Sequence, residues 1–167
     1  VIAPWLSDRF GLRLVMASGL IVVAAGLYLT SRLGVGAAYT DFLWPLLAMG
    51  TGLGLCTAPA TAAVVSAVPA DNQGVAAAVN DDAREIGAAV GIAIAGSVLA
   101  AGYSNRIRPV LPTLPPPARE PFADSLAAAL EVAERSGPSA QPMADMAREA
   151  FVHGSSQAAL VLTVITA

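Results

Sequence analysis

Long apolar stretches separated by short polar turns occupy the first two thirds of the chain. The stretches 14–33, 42–68 and 75–103 each reach the length of about 20 apolar residues that a helix needs to cross a bilayer. The pattern therefore predicts an all-α, polytopic transmembrane bundle over residues 1–103, in which residues 1–6 end a preceding helix.

The next segment, residues 104–155, has a different character. It contains eight of the twelve prolines and predicts a polar, Pro-rich loop. Prolines 115–117 indicate an extended spacer. Apolar residues recur at helical spacing over 122–133 and again over 143–151, which predicts two short amphipathic helices within the loop.

The last segment, residues 156–167, is apolar but too short to cross a bilayer. Gly154, Ser155 and Ser156 predict a helix break just before it. We expect this segment to be the start of a truncated final transmembrane helix, and the chain to be the C-terminal part of a larger membrane protein.

Composition supports a membrane protein, because 56% of the residues are hydrophobic and only 13% are charged. A soluble domain carries about twice that share of charge. The net charge of −3 gives no indication of nucleic-acid binding. The single Cys56 and the single His153 predict neither a disulfide framework nor a metal site. The Ser and Thr residues lack a His partner for nucleophilic chemistry, so we expect a protein that is not an enzyme and needs no cofactor.

Four charged residues lead directly into the third apolar stretch: Asp81, Asp82, Arg84 and Glu85. Charges at membrane depth usually line a cavity, pair with each other or handle ions and substrates. Asp81 and Glu85 are four residues apart and share one helix face, whereas Asp82 points elsewhere. Two such carboxylates repel each other when both are ionised, which suits a site that exchanges a proton for a cation. Alternatively, Arg84 neutralises Asp81 at a solvated helix start.

Small and helix-bending residues form a second group of candidates, for close helix packing or bending: Gly50, Gly52, Gly54, Pro59, Gly87 and Gly91. The three glycines at 50–54 are not a nucleotide-binding loop, since no Gly-Lys-Ser/Thr follows and no strand precedes them.

The turn at residues 7–13 resembles the cytoplasmic loop signature of the major facilitator superfamily, Gly-x-x-x-Asp-Arg-x-Gly-Arg-Arg/Lys. The matching residues are Asp8, Arg9, Gly11 and Arg13. Pro4 replaces the leading Gly, and Leu12 replaces a basic residue. The resemblance implies a latch between helices, and the alternative is a solvated turn that carries cytoplasmic positive charges.

A second pattern is similar to the end of the fourteen-helix drug:proton antiporters of that superfamily. It comprises the Gly-rich run 50–54, Pro59, Val68-Pro69, Gly74 and the run from Arg84 to Ala93. Glu85 stands where Gln is usual. Asp81 and Glu85 match the two acids, four residues apart, of relatives that export quaternary ammonium and other lipophilic cations.

The second resemblance implies proton-coupled export of lipophilic or cationic drugs by alternating access, in the plasma membrane of a bacterium. Its partners would be the small substrate, protons, lipid and the remainder of the same transporter chain. The arginines alone leave the orientation open, because those at 9 and 13 and those at 106 and 108 favour opposite sides. The resemblance places residues 7–13 in the cytoplasm and 104–155 outside. Two alternatives remain: an importer of the same fold, and a non-transporting scaffold whose outside loop binds a partner.

Overall fold

The computed structural model describes residues 9–167, and every regular element within them is helical. This finding confirms the all-α prediction. From Leu12 onward, three short 3₁₀ turns accompany six α-helices: α1 (Leu12–Ser31), α2 (Tyr39–Ser66), α3 (Gln73–Ile107), α4 (Pro116–Asp124), α5 (Leu126–Arg135) and α6 (Gln141–Thr166).

Three helical stretches are long and apolar enough to cross a membrane: Leu12–Ser31, Tyr39–Ser66 and Ala70–Ile107. They coincide with the three predicted spans, although the third is longer than predicted at both ends. At 1.5 Å per residue the 35 residues of α3 extend over roughly 52 Å, against a hydrocarbon thickness of about 30 Å. α3 is therefore considerably longer than the hydrocarbon of a bilayer is thick.

The long helices form two close pairs, α1 with α2 and α3 with α6, and α1 also packs against α6. Helices α2 and α3 are consecutive in the chain but touch each other much less than the helices within either pair. Around the bundle the helices consequently follow one another in the order α2, α1, α6, α3. The circuit closes between α3 and α2, where the two helices leave an open wedge.

Glycines allow the backbones within each pair to approach closely. A Cβ atom added to Gly52 would lie 2.5 Å from the Gly19 carbonyl oxygen across the α1–α2 contact. One added to Gly154 would lie 2.5 Å from the Leu99 carbonyl oxygen across the α3–α6 contact. Both clashes involve backbone atoms, which cannot rotate away as a side chain can. Each pair is thus held at a distance that no larger residue permits.

Residues 108–140, here called the cap, fold back on the ends of α3 and α6. The cap contains α4 and α5 and shares with these ends a core of buried residues: Tyr103, Ile107, Leu114, Ala118, Phe122, Ala129, Ala147 and Ala150. Ile107 is 2% and Phe122 is 1% exposed. The segment predicted as a polar loop is therefore a small packed unit.

Two predictions within this segment are wrong in detail. Pro115 is extended, but Pro116 and Pro117 open α4 instead of continuing a spacer, because proline is well suited to the first turn of a helix. The helix predicted over 122–133 is divided between α4 and α5 at Ser125, whose backbone is extended. The Ser125 hydroxyl accepts a hydrogen bond from the Ala128 N–H at 3.2 Å and so caps α5.

The predicted break at residues 154–156 is also wrong, because α6 runs unbroken from Gln141 to Thr166. Glycine weakens a helix interior by only about 1 kcal/mol, and the close packing of Gly154 on α3 offsets that cost. Residues 156–167 therefore continue a helix that starts in the cap region, and their role as the start of a final transmembrane helix stays a prediction.

Candidate functional site

The wedge between α2 and α3 contains a cleft of about 560 Å³ whose lining is partly apolar and partly charged. Its walls are formed by Leu53, Thr57, Asp81, Arg84, Glu85 and Ala88. The structure thus brings together three of the four charged residues that the sequence singled out. Asp82 is not part of the lining, in agreement with its different helix face.

The charges in the cleft are only partly balanced. Nη1 of Arg84 lies 3.6 Å from Oδ1 of Asp81, and the two side chains are 58% and 66% exposed. Exposed ion pairs of this kind contribute about 0–1 kcal/mol. Glu85 forms no ion pair within 4 Å among residues 9–167. Two carboxylates therefore face one guanidinium, and the cleft attracts cations.

A hydrogen bond joins the two walls next to the carboxylates. The Asn80 side chain donates from Nδ2 to Oγ1 of Thr61 at 3.3 Å, which links α3 to α2. The sequence does not predict this pair, because neither residue belongs to a motif. The only available signal was the position of Asn80, directly before Asp81.

The predicted packing residues divide into two groups. Gly52 makes the close contact with α1 described above, and Pro59 is buried within α2. A Cβ atom at any of the other four would meet nothing within 4 Å among the described residues: Gly50, Gly54, Gly87 and Gly91. Their role in packing or bending stays a prediction.

The predicted latch lies at the N-terminal end of α1. Asp8 is outside the described residues, while Arg9 and Arg13 are exposed. Gly11, between them, has φ +85°, a backbone conformation that favours glycine, and it directly precedes α1. The latch itself stays a prediction.

Within residues 9–167, no group of three or more His, Cys, Asp or Glu side chains is placed to hold a metal ion. Nε2 of His153 lies 3.1 Å from Nε2 of Gln157 on the same helix, at an exposed position. The Cys56 thiol donates to the Met16 carbonyl oxygen at 3.3 Å and so adds to the α1–α2 contact.

The chain is similar to bacterial transport proteins. It is 35% identical over 94% of its length to the methyl viologen resistance protein SmvA of Salmonella typhimurium, covering 32% of that protein. It is 31% identical over 95% of its length to the multidrug efflux pump LfrA of Mycolicibacterium smegmatis, again covering 32%. It is 38% identical over 58% of its length to a triacylglyceride transporter of the same species, covering 19%.

The chain thus spans about a third of the length of the first two relatives. Their names are those of transporters, efflux pumps and resistance proteins, not of enzymes. No protein-family model matches the chain, and no solved structure matches it.

Proposed function

We propose that this chain is part of a proton-coupled exporter of lipophilic, cationic drugs, in the fourteen-helix antiporter branch of the major facilitator superfamily. The cleft that holds Asp81 and Glu85 between α2 and α3 is the observation that carries the proposal. The efflux and resistance proteins among its relatives support it as well.

The two carboxylates supply the chemistry of exchange. Because they are one helical turn apart on the same face, one organic cation or one proton can neutralise charge at the same place. Binding of one therefore competes with binding of the other. Such competition is what an antiporter needs: protons entering from one side release the drug, and loss of protons on the other side restores the site.

The walls of the cleft suit a lipophilic cation. Leu53 and Ala88 offer apolar surface beside the carboxylates. The positive charge of Arg84, which would repel a cation, is partly neutralised by its ion pair with Asp81. Methyl viologen, for which one relative is named, is an aromatic organic dication.

Alternating access would use the weakest of the interfaces between the long helices. The pairs α1–α2 and α3–α6 are closely packed through glycines, whereas α2 and α3 diverge around the cleft. Relative movement of α2 and α3 would change access to Asp81 and Glu85. In this proposal Asp8, Arg9 and Arg13 form a latch on the cytoplasmic side.

A second candidate substrate class is a neutral lipid, and the similarity to a triacylglyceride transporter favours it. A neutral lipid has no need of two carboxylates facing one arginine. The two candidates therefore differ in whether transport depends on Asp81 and Glu85.

The test is resistance to methyl viologen and efflux of ethidium in cells that express the full-length protein, with and without a protonophore. We expect protonophore-sensitive efflux that Asp81→Asn/Glu85→Gln abolishes. Asp82→Asn, which removes the neighbouring carboxylate outside the cleft, is the matched control and is expected to retain efflux. Efflux that persists in the double variant at equal expression would overturn the proposal.

A further inference from the structure

Two further cavities lie at the other end of α3, where the cap meets the long helices. The first, of about 330 Å³, is bordered by Leu99, Tyr103, Asp124, Leu126 and Phe151, among others. Its volume lies at the lower end of the range of known small-molecule sites. Tyr103 is 18 residues beyond Glu85 on α3, which places this cavity about 27 Å along the helix from the carboxylate cleft.

The second cavity, of about 250 Å³, shares Leu126 and Phe151 with the first. From this common wall it extends to Val35 in the α1–α2 turn and to Phe42 at the start of α2. The two cavities, both mainly apolar and adjoining at Leu126 and Phe151, are together called the cap path.

The frame of the cap path is fixed by buried contacts. Tyr103 is 5% exposed, and its hydroxyl donates to the Phe122 carbonyl oxygen at 2.9 Å, which ties α4 to α3. Ser125 ends α4 and caps α5 through Ala128, so the chain turns sharply where Asp124 borders the cavity. The position of Asp124 therefore follows from the cap's own packing.

The cap path is bordered by one carboxylate, Asp124, and one guanidinium, Arg148. Asp124 is exposed and forms no ion pair within 4 Å among residues 9–167. Arg148 borders the second cavity but is already engaged, since its Nη1 lies 2.8 Å from Oδ1 of Asp145. The uncompensated charge beside the cap path is thus the Asp124 carboxylate.

We propose that the cap path is a second binding site for lipophilic organic cations, with the cationic group at Asp124 and the apolar body against Leu126 and Phe151. The ring of Phe151 adds a face on which an aromatic cation is held. The inference rests on the proposed function, because it places a second binding site for the same substrate class at the opposite end of α3.

The test is a fluorescence titration of ethidium into purified full-length protein in detergent. The parent for this titration is Asp81→Asn/Glu85→Gln, so that the cleft between α2 and α3 no longer dominates binding. We expect residual binding that Asp124→Asn weakens by about two- to fivefold, the factor that corresponds to removing one exposed ion pair. Phe151→Leu keeps an apolar side chain of similar size but loses the ring, and we expect it to weaken ethidium binding by a comparable factor.

Two controls separate charge from folding. Glu131→Gln removes an exposed carboxylate of α5 that borders neither cavity, and we expect it to leave the titration unchanged. Binding of the neutral dye Nile red should be unaffected by Asp124→Asn. Equal loss of both dyes would overturn the assignment of a cation site.

The site is also overturned if the parent binds no ethidium, or if Asp124→Asn and Phe151→Leu bind it as well as the parent does. Either result leaves the efflux experiment untouched. Conversely, efflux that does not respond to a protonophore contradicts the proposed function and not the titration.

Discussion

Two residues beside the α2–α3 cleft, Asn80 and Thr61, join helices that otherwise diverge. The Asn80–Thr61 hydrogen bond is formed next to the carboxylates, where α3 still lies near α2. Interhelical hydrogen bonds in membrane proteins contribute modestly, since the separated groups also find other partners in the unfolded state. The bond between Asn80 and Thr61 therefore sets the geometry of the cleft more than the stability of the bundle.

Replacement of Thr61 by Val removes the acceptor and keeps the shape of the side chain. We expect the free energy of unfolding to fall by about 0.6 kcal/mol, and by no more than about 1.7, and the ethidium affinity of the cleft to fall as Asp81 loses its fixed neighbour. Denaturant unfolding in mixed micelles and an ethidium titration measure the two effects.

Thr163→Val is the matched control, because the Thr163 hydroxyl donates within its own helix, to the Ala159 carbonyl oxygen at 2.8 Å. We expect almost no change in either measurement for this variant. Equal effects of the two substitutions would show that the Asn80–Thr61 bond does not organise the cleft.

For single residues, the sequence predicts which side chains share a helix face, because helix periodicity determines this. Asp81, Arg84 and Glu85 share a face because of their spacing, and the structure places them in one cleft. The bond between Asn80 and Thr61 depends on the relative height of two helices, which no local pattern specifies.

Among the helices, the close pair α3–α6 supports both the cleft wall and the cap. Gly102 and Gly154 face each other at this contact, and a Cβ atom on Gly102 would lie 2.7 Å from Cα of Gly154. Any shift of α6 away from α3 therefore moves the cap as well.

Gly154→Ala is expected to destabilise the protein, because the added Cβ meets the Leu99 backbone and forces the helices apart. Overpacking of this kind costs about 1–3 kcal/mol, which the loss of thermal stability in detergent measures. Gly96→Ala on the same helix pair has open space within the described residues, so helix propensity should leave it neutral or slightly stabilised. Similar melting temperatures for the two variants would contradict this account of the contact.

The helices also show where local patterns mislead. Long apolar stretches predict α1, α2 and α3 well, since a run of about 20 apolar residues can be recognised from the sequence alone. Gly154 and the two serines after it carry a local signal for a break, yet tertiary packing on α3 maintains α6 across them. In the cap, Ser125 alone redirects the chain between two helices that share a continuous apolar pattern.

In the whole molecule, the two ends of the bundle differ in character. The carboxylate cleft lies towards the N-terminal end of α3, next to the turn between α2 and α3, and the cap covers the other end beside the α1–α2 turn. Since α3 is long and apolar enough to cross a membrane, we expect the cap and the α2–α3 turn on opposite sides. We expect the cap outside, as the resemblance to drug:proton antiporters implies.

Cysteine labelling tests this orientation in a cysteine-free full-length background that includes Cys56→Ala. Glu131 in the cap has a side chain that is 61% exposed, and Asp71 in the α2–α3 turn is also exposed. We expect a membrane-impermeant maleimide to label Glu131→Cys in right-side-out vesicles and Asp71→Cys in inverted vesicles, since the reagent reaches only the outer face of each vesicle. The reverse pattern would place the cap in the cytoplasm, and labelling of both positions from one side would show that α3 does not cross the membrane.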